Sequence, residues 1–344
     1  MGINNAHAWY DHTAVQYWVA TEFNALMGKD YENNLIKRPS ILEQQAQYET
    51  IAALLLLNPE AKLKSLEAKT LKELITMAAE DPDHGIDKNL PDSADPNNDR
   101  KWMGGLHHPG TQGFRHMVFQ GFQWSDPLTT LQYPARLLGQ AHDRFDLMAR
   151  ESKKRFQEKD IWWATRILGW ALHYIQDLTQ PFHAVQIPSL KMIPWYQVLV
   201  SNPLHWFETY LTISDRTITN YHWAYEGYIR NELLKKESSV FKDCFKAEPE
   251  KILVSNPREL ALQIANESKK TSLQLGSVIV DFFGKELQSP EINFPKGTGK
   301  VDDAALNNDP TKKMYKERLI KLSCDYFKRA SSASTWIVSW ALHP

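Results

Sequence analysis

The sequence predicts an all-α protein with a single helical domain. Eight segments carry apolar residues at three- and four-residue spacings, as amphipathic helices do, whereas the alternation typical of strands is almost absent. Of its 344 residues 42% are hydrophobic and 24% charged, so the chain can bury a large core and is not generally disordered. The predicted helices span residues 13–27, 42–57, 63–79, 134–157, 160–178, 217–236, 257–285 and 312–340.

Two segments between these helices are predicted to be loops. Residues 81–113 are crowded with Asp, Asn, Pro and Gly, and residues 286–311 have a similar composition. The chain after residue 311 is amphipathic again, so we expect the C-terminal helices to pack back onto the earlier ones. Residues 9–344 would then form one domain.

The first eight residues end in a pattern that signal peptidase recognises. Ala6-His7-Ala8 has the small-x-small form of a cleavage site and stands directly before Trp9. The charged and apolar regions of a signal peptide are missing, because residues 1–5 are too few to contain them. Residues 1–8 are therefore either the residual end of a leader or a chance match.

Cysteine content and hydropathy say little about the cellular compartment of the protein. Cys244 and Cys324 fit no metal-binding spacing, and they could form one disulfide or remain two buried thiols. No apolar run approaches the length of a membrane-spanning helix. The sequence thus predicts no transmembrane segment.

The charge balance argues against a stable nucleic-acid partner. There are 40 basic and 41 acidic residues, a net charge of −1, which gives no broad positive field to hold a phosphate backbone. Twelve tryptophans are unusual, because tryptophan favours interfaces, including the edge of a bilayer. A core rich in aromatic residues explains them equally well.

Two histidine–carboxylate pairs carry the strongest chemical signal. His173 and Asp177 are four residues apart on the predicted helix 160–178, so both side chains lie on one face. Pro181 ends that helix, and the turn can bring His183 back toward the same face. His222 and Glu226 repeat the spacing.

Imidazole and carboxylate are ligands that Zn²⁺ accepts. A hydrogen-bonded contact between histidine and acid is the commoner explanation for one such pair alone. Two pairs with a third histidine in apolar surroundings favour a metal site, because each buried polar group needs a partner.

This pattern resembles the zinc-dependent phospholipase C family of bacteria, whose relatives are the S1/P1 nucleases. The resemblance is carried by Gln180-Pro181 and by the spacing His173-x-x-x-Asp177-x-x-x-x-x-His183 followed by His222-x-x-x-Glu226. It implies an all-α fold around a trinuclear zinc site. The last carboxylate is usually Glu in the phospholipases and Asp in the nucleases, so Glu226 favours the former.

The resemblance also assigns a role to the N-terminus. In the family the mature chain begins with Trp, whose terminal nitrogen and carbonyl oxygen bind one zinc, and a His follows closely. Trp9 and His12 fit these positions. We therefore expect cleavage after Ala8 to be needed for full zinc occupancy, with secretion or export to the periplasm.

Two further family ligands have more than one candidate in this chain. The family's Asp from a Pro-Asp loop corresponds to Asp83, with Asp87 as the alternative. The next ligand, a His, corresponds to His116, His107 or His108. The aromatic neighbours of His116 favour it, although its distance along the chain from Asp83 is longer than usual in the family.

The resemblance therefore implies three zinc ions per chain. The first would be held by Asp83, His116, His173 and Asp177. The second would be held by His183, His222 and Glu226. The third would be held by Trp9 and His12 and would share Asp177 with the first, and Asp83 is the general base that the family's mechanism implies.

The implied activity is that of a phospholipase C, which hydrolyses a glycerophospholipid, usually phosphatidylcholine, at a membrane surface. One alternative is a nuclease of the S1/P1 type acting on single strands, and another is a zinc-stabilised lipid-binding module without turnover. Residues 187–211 are rich in aromatic and aliphatic residues, which suits either a loop lying on lipid or a buried helical hairpin. His205 and Glu208 in this segment receive no role.

Overall fold

The structure of the chain, a computed structural model, is built almost entirely of helices. It describes residues 15, 38–63, 66, 70–88, 90, 92–96, 113–120, 137–186, 188–235, 238–246 and 252–343. Its α-helices are Ile41–Leu55 (α1), Leu71–Ala78 (α2), Gly113–His116 (α3), Ala141–Gln157 (α4), Ile161–Thr179 (α5), Trp195–Leu199 (α6), Trp206–Leu233 (α7), Pro257–Lys270 (α8), Ser272–Phe283 (α9), Asp303–Asn308 (α10) and Lys313–Leu342 (α11). In this part of the chain the strands are Phe119–Gln120 (β1) and Leu137–Leu138 (β2), which pair antiparallel. The prediction of an all-α fold is confirmed.

Helix α5 lies at the centre of the fold. Every side chain from residue 162 to residue 179 is buried, and helices α2, α4, α8 and α11 pack against it. A helix that is buried on all sides needs neighbours on each face, and these four provide them. Because α5 carries His173 and Asp177, both residues are held in the interior.

Helix α2 approaches α5 closely at Gly169. A Cβ atom at this position would lie 2.7 Å from Ala78 Cβ and 2.8 Å from Ile75 O, so no larger residue fits without a shift. Thr70 and Glu73 form a capping box that fixes the start of α2. The helix leads directly into a single π-type turn, Pro82–Ile86, which contains Asp83.

A buried ion pair ties this turn to α5. Arg166 Nε and Trp170 Nε1, both on α5, each donate a hydrogen bond of 2.9 Å to Asp81 Oδ2. Arg166 is fully buried, so its charge requires this partner. The segment that carries Asp83 is thereby fixed against the helix that carries His173.

Several predicted helices begin or end elsewhere for local reasons. The helix predicted from residue 63 begins at Leu71, because Thr70 caps it. The helix predicted from residue 134 begins at Ala141, because Gly139 has a φ of 90°, which interrupts a helix and which glycine tolerates best. The helix predicted over residues 257–285 is divided into α8 and α9 at Thr271, where φ is −102° and ψ is 0°.

Helix α7 is longer than predicted. It begins at Trp206 rather than near residue 217, and buried Tyr210, Ile213 and Thr217 already follow helical spacing there. The segment predicted to be a loop after α9 contains the short helix α10 and parts of three 3₁₀ turns, Lys285–Gln288, Phe294–Lys296 and Pro310–Lys312. Helix α7 matters for the site because it carries His222 and Glu226.

Cys244 and Cys324 form a disulfide, which the sequence left open. Their Cα atoms are 5.0 Å apart, and the bond joins the 3₁₀ turn Lys242–Lys246 to α11. Such bonds persist in oxidising compartments, so this one is compatible with an extracellular protein. Across the described ranges, no helix is both long and apolar enough to span a bilayer.

Candidate metal centre

Histidine and carboxylate side chains form two groups beside helix α5. Asp83, His116 and His173 form the first group, and His183, His222 and Glu226 form the second. Within each group, one nitrogen or carboxylate oxygen of every residue lies within 4.8 Å of the others. Both groups could hold a metal ion.

The first group surrounds the Nδ1 atom of His116. This atom lies 2.9 Å from His173 Nε2, 3.1 Å from Asp177 Oδ2 and 3.6 Å from Asp83 Oδ1. Asp177 Oδ2 is also 3.4 Å from His173 Nε2, and Asp177 is therefore treated as the fourth member of the first group. All four side chains are buried, with at most 3% of each residue exposed.

Main-chain oxygens orient two of the histidine rings. His173 Nδ1 donates to Ala79 O at 2.7 Å, and His183 Nδ1 donates to His116 O at 2.9 Å. A carbonyl oxygen only accepts, so both rings carry their proton on Nδ1 and keep a lone pair on Nε2 when neutral. Supporting hydrogen bonds of this kind are usual around histidines that bind metals.

Asp87, the alternative to Asp83, lies near the other ring nitrogen of His116. Its carboxylate pairs with Arg115, with Oδ1 3.1 Å from Nη1, and it accepts a hydrogen bond from the hydroxyl of Tyr174. Asp87 Oδ2 is 3.2 Å from the far nitrogen of His116, Nε2. Asp87 therefore lies on the Nε2 side of the His116 ring, whereas Asp83 lies on the Nδ1 side.

The second group combines the turn after α5 with one face of α7. His183 lies in the 3₁₀ turn Pro181–His183, and His222 Nε2 is 2.7 Å from Glu226 Oε1 one helical turn away. Phe182 stacks on the His222 ring with centroids 4.6 Å apart. Gln180 Nε2 donates to Glu226 Oε1 at 2.7 Å, so the carboxylate is held on two sides.

The two groups are joined through residue 116. The carbonyl oxygen of His116 accepts from His183 Nδ1, and Val118 N donates to His183 O at 2.9 Å. Asp177 Oδ2, which touches the first group, is 3.9 Å from His183 Nδ1. These contacts place the two groups next to each other on either side of residue 116.

The electrostatic field in both groups is negative. Burial opposes protonation of His116, but hydrogen bonds to Asp177 and Asp87 outweigh it and raise the pKa of His116 to about 10. Burial also opposes protonation of His183, yet the nearby Asp177 carboxylate raises its pKa. A field that favours a proton at these nitrogens equally favours a metal cation.

Glu226 shows the opposite shift. Burial favours its neutral form, but the His222 and His183 imidazoles outweigh this and lower the pKa of Glu226 to about 2. The carboxylate is therefore ionised and able to bind a cation at neutral pH.

The donor set fits zinc. His183 Nε2 is buried and lies 3.8 Å from Glu226 Oε1, too far for a hydrogen bond, and it has no hydrogen-bond partner in the described part of the chain. In the first group two carboxylates, Asp83 and Asp177, are buried beside imidazoles, and their charge matches one divalent cation. Nitrogen and carboxylate ligands are those that Zn²⁺ takes.

Several residues considered from the sequence lie outside the described residues. These are Trp9, His12, His107 and His108. His205 and Glu208, which received no role, form an exposed pair 3.5 Å apart at the start of α7. Sequence reasoning assigned no role to Arg115, Tyr174 and Gln180, because only the folded chain shows which side chains they contact.

Residues 188–211 combine a buried side and an exposed side. Ile193, Val198, Tyr210 and Ile213 form a small core of their own. The exposed apolar and aromatic side chains of this segment, here called the apolar tip, are Tyr196, Leu199, Val200, Leu204 and Trp206. Residues 192–207 contain no Asp, Glu, Lys or Arg.

The chain has little similarity to known proteins. No family model matches it, and no curated protein matches it. Among solved structures, alpha toxin from Clostridium absonum is similar at 10% identity and a TM-score of 0.34, over 96% of this chain and 66% of the toxin. The match thus spans just under two thirds of the toxin. A TM-score of this size does not define a shared fold, so the chemistry of the site rests on its own residues.

Proposed function

We propose that the chain is a zinc-dependent phosphodiester hydrolase acting as a phospholipase C. The observation that carries the proposal is the pair of buried histidine–carboxylate groups joined through residue 116. A structural zinc is normally enclosed by four protein ligands, whereas the second group has three described ligands. Adjacent metal sites with an open position are typical of enzymes that hydrolyse phosphate esters.

The proposed ligands follow the two groups. Asp83, His116, His173 and Asp177 would hold one zinc ion. His183, His222 and Glu226 would hold a second. Trp9 and His12, with Asp177, are proposed for a third and stay a prediction, because both lie outside the described residues.

Bound zinc would supply charge for the phosphoryl oxygens and lower the pKa of a bound water from about 16 to about 7. Asp83 is proposed as the general base, because its carboxylate is buried beside the imidazoles that define the site. It takes the proton of the water that attacks phosphorus. The bond from phosphorus to the glycerol oxygen breaks, and that oxygen takes up a proton to give diacylglycerol and a phosphorylated head group.

The apolar tip supports a lipid substrate. Leu204 is 89% exposed and Val200 81%, in a segment without charged residues that also exposes Tyr196 and Trp206. Tyrosine and tryptophan favour the boundary between lipid and water, and apolar side chains between them can enter it. Because this segment has no charged residue and the chain is nearly neutral, we propose that the tip contacts zwitterionic lipid, with phosphatidylcholine as the substrate. The disulfide is consistent with the proposed secretion or periplasmic location.

The test supplies the purified chain with phosphatidylcholine vesicles and, separately, with single-stranded DNA, each with and without a chelator. We expect diacylglycerol release that stops when the chelator is added. Release of nucleotides alone would identify the nuclease alternative. Vesicle binding without turnover of either substrate would identify a lipid-binding module and contradict the proposal.

The same assay tests the apolar tip. Leu199→Gln combined with Leu204→Gln should reduce turnover on vesicles while leaving turnover of a soluble phosphodiester unchanged. Leu273→Gln is the control, because Leu273 on α9 is 64% exposed and Leu199 is 62% exposed. Equal losses on both substrates, or an equal effect of the control, would show that the tip does not contact lipid.

A further inference from the structure

The turn that follows α5 is involved with every member of the second group. His183 lies in this turn and is itself a member. Gln180, just before the turn, donates from Nε2 to Glu226 Oε1 at 2.7 Å. Phe182 stacks on the His222 ring, with the centroids 4.6 Å apart and the planes 7° apart. One short segment thus supplies one member of the group and contacts the other two.

The His222 ring lacks the main-chain hydrogen bond that holds two other histidines. His173 and His183 each donate from Nδ1 to a main-chain oxygen. No main-chain oxygen of the described residues accepts a hydrogen bond from the His222 ring. Its Nε2 atom lies 2.7 Å from Glu226 Oε1, where the ion would bind. The plane of this ring therefore depends on a different kind of contact.

The phenyl ring of Phe182 has a fixed neighbour of its own. Its centroid is 6.3 Å from that of Tyr225, and Phe182 is 3% exposed. Ser323 Oγ donates its one proton to Leu319 O at 2.8 Å, so the Tyr225 hydroxyl, 2.9 Å away, donates to Ser323. Tyr225 is fully buried and is thereby tied to α11. The phenyl ring that stacks on His222 is thus packed against an anchored side chain.

A stack of two nearly parallel rings restricts how the imidazole can turn. Rotation about the Cβ–Cγ bond of His222 would drive one edge of its ring into the phenyl ring of Phe182. The stack covers one face of the imidazole and leaves its edge, which carries the nitrogens, free for an ion. Stacked aromatic rings also attract each other beyond the apolar area that they bury.

We infer that Phe182 is a positioning residue that fixes the plane of the His222 imidazole by stacking, and that it thereby sets the affinity of the second group for its ion. In this role it replaces the main-chain oxygens that hold His173 and His183. The inference rests on the metal-binding part of the proposed function and not on the substrate.

Phe182→Leu tests the inference, because it keeps an apolar side chain and removes the flat ring. We expect the zinc affinity of the second group to fall roughly 10- to 100-fold, the range for contacts that support a metal ligand. The affinity of the first group should be unchanged. Phe182→Tyr keeps the ring and should restore the affinity. Zinc titrations against two chelators of different strength measure the two groups separately.

Phe241→Leu is the matched control for the loss of packing. Phe241 is fully buried and packs against the Phe327 ring at 5.3 Å, and it contacts neither group among the interactions of the described chain. It should leave both zinc affinities unchanged. An equal loss in this control, or an equal loss at both groups in Phe182→Leu, would show a general packing defect and overturn the inference. Unchanged affinity of the second group in Phe182→Leu would overturn it as well.

Ring order gives a measurement that does not depend on zinc or on how well a variant folds. The unsubstituted, zinc-free chain, labelled with ¹³C in the histidine rings, would be studied by NMR relaxation. We expect the His222 ring to be as ordered as those of His173 and His183, and a clearly more mobile His222 ring would contradict the inference. In Phe182→Leu the order should decrease at His222 alone.

These measurements also separate the inference from the proposed function. A chain with the expected zinc affinities that hydrolyses no phosphodiester keeps the inference and contradicts the proposed function. A chain that binds no zinc contradicts both.

Discussion

The first histidine–carboxylate group is assembled from distant segments, whereas the second is mostly local. Asp83 and His173 are separated by α3 and α4, and they meet because α2 packs on α5 at Gly169. His222 and Glu226 are neighbours on one helix, and only His183 must be brought to them. The first group therefore depends on the whole fold, and the second depends mainly on α7 and the end of α5.

The two groups also differ in charge and exposure. The first group places Asp83 and Asp177 in the interior, where a carboxylate without a compensating charge destabilises the folded state. The second has one carboxylate, and the His222 side chain is 12% exposed. We expect the first group to hold its ion more tightly and the second to exchange it more readily with solvent.

The largest expected effect comes from His173→Ala. The substitution removes Nε2 from the first group and leaves Asp83 and Asp177 facing each other with one imidazole fewer. We expect phosphodiester turnover to fall by more than the roughly 10- to 100-fold that loss of a supporting hydrogen bond costs. Zinc content, measured by atomic emission, should fall by the first-group ion while the second remains.

His205→Ala is the matched control for this substitution. His205 is exposed and pairs with Glu208 three residues later, so it resembles the proposed ligands in sequence but not in surroundings. It should leave turnover on a soluble phosphodiester and zinc content unchanged. Retained turnover in His173→Ala would show that the ligand assignment of the first group is wrong.

Stepwise chelation should distinguish the two groups, with a smaller effect than that of His173→Ala. Added in steps, a chelator should remove the second-group ion first, because His222 is the more exposed ligand. Removal of the first-group ion should then lower the unfolding temperature more, because two buried carboxylates lose a divalent cation there and the second group has only one carboxylate. Saturation at about 1,000 times Kd stabilises a fold by about 4 kcal/mol. Calorimetry and metal analysis at each step give the unfolding temperature and the zinc content. Loss of both ions in one step would contradict the expected difference in affinity between the two groups.

The contrast between local and distant contacts also explains what the sequence could predict. His173 with Asp177, and His222 with Glu226, are one helical turn apart, so helical periodicity is enough to place each pair on one face. Asp83 and Asp87 lie four residues apart in one segment and both are buried, so neither the sequence nor burial distinguishes them. Only the folded chain shows that Asp83 lies near Nδ1 of His116 and Asp87 near Nε2.

The helix boundaries also divide into those set by local signals and those set by tertiary contacts. The start of α2 at Leu71 depends on the Thr70 cap, a local signal that was present in the sequence but overlooked. The division at Thr271 has no glycine or proline to mark it, and Tyr326 on α11 donates to the Thr271 hydroxyl at 3.1 Å. Such a break depends on packing against another helix, so periodicity alone could not find it.

The smallest expected effect comes from Gln180→Leu in the second group. Gln180 is fully buried, and its amide donates to Glu226 Oε1 at 2.7 Å, a hydrogen bond strengthened by the charge of the carboxylate. Leucine is close in size, so the change removes the donor with little loss of packing. We expect zinc affinity of the second group to fall by about 10-fold, at the low end of the range for such supporting contacts.

The first group provides the control within the same variant. Among the hydrogen bonds of the described chain, the Gln180 side chain donates to Glu226, while its main-chain N–H, which the substitution keeps, donates to Asp177 O, so the first-group affinity should stay the same. The measurement is a zinc titration against two chelators of different strength, which resolves the two sites separately. If both affinities fall together, the link through His116 O and His183 Nδ1 transmits the change, and the two groups then behave as one unit rather than as a distant and a local site.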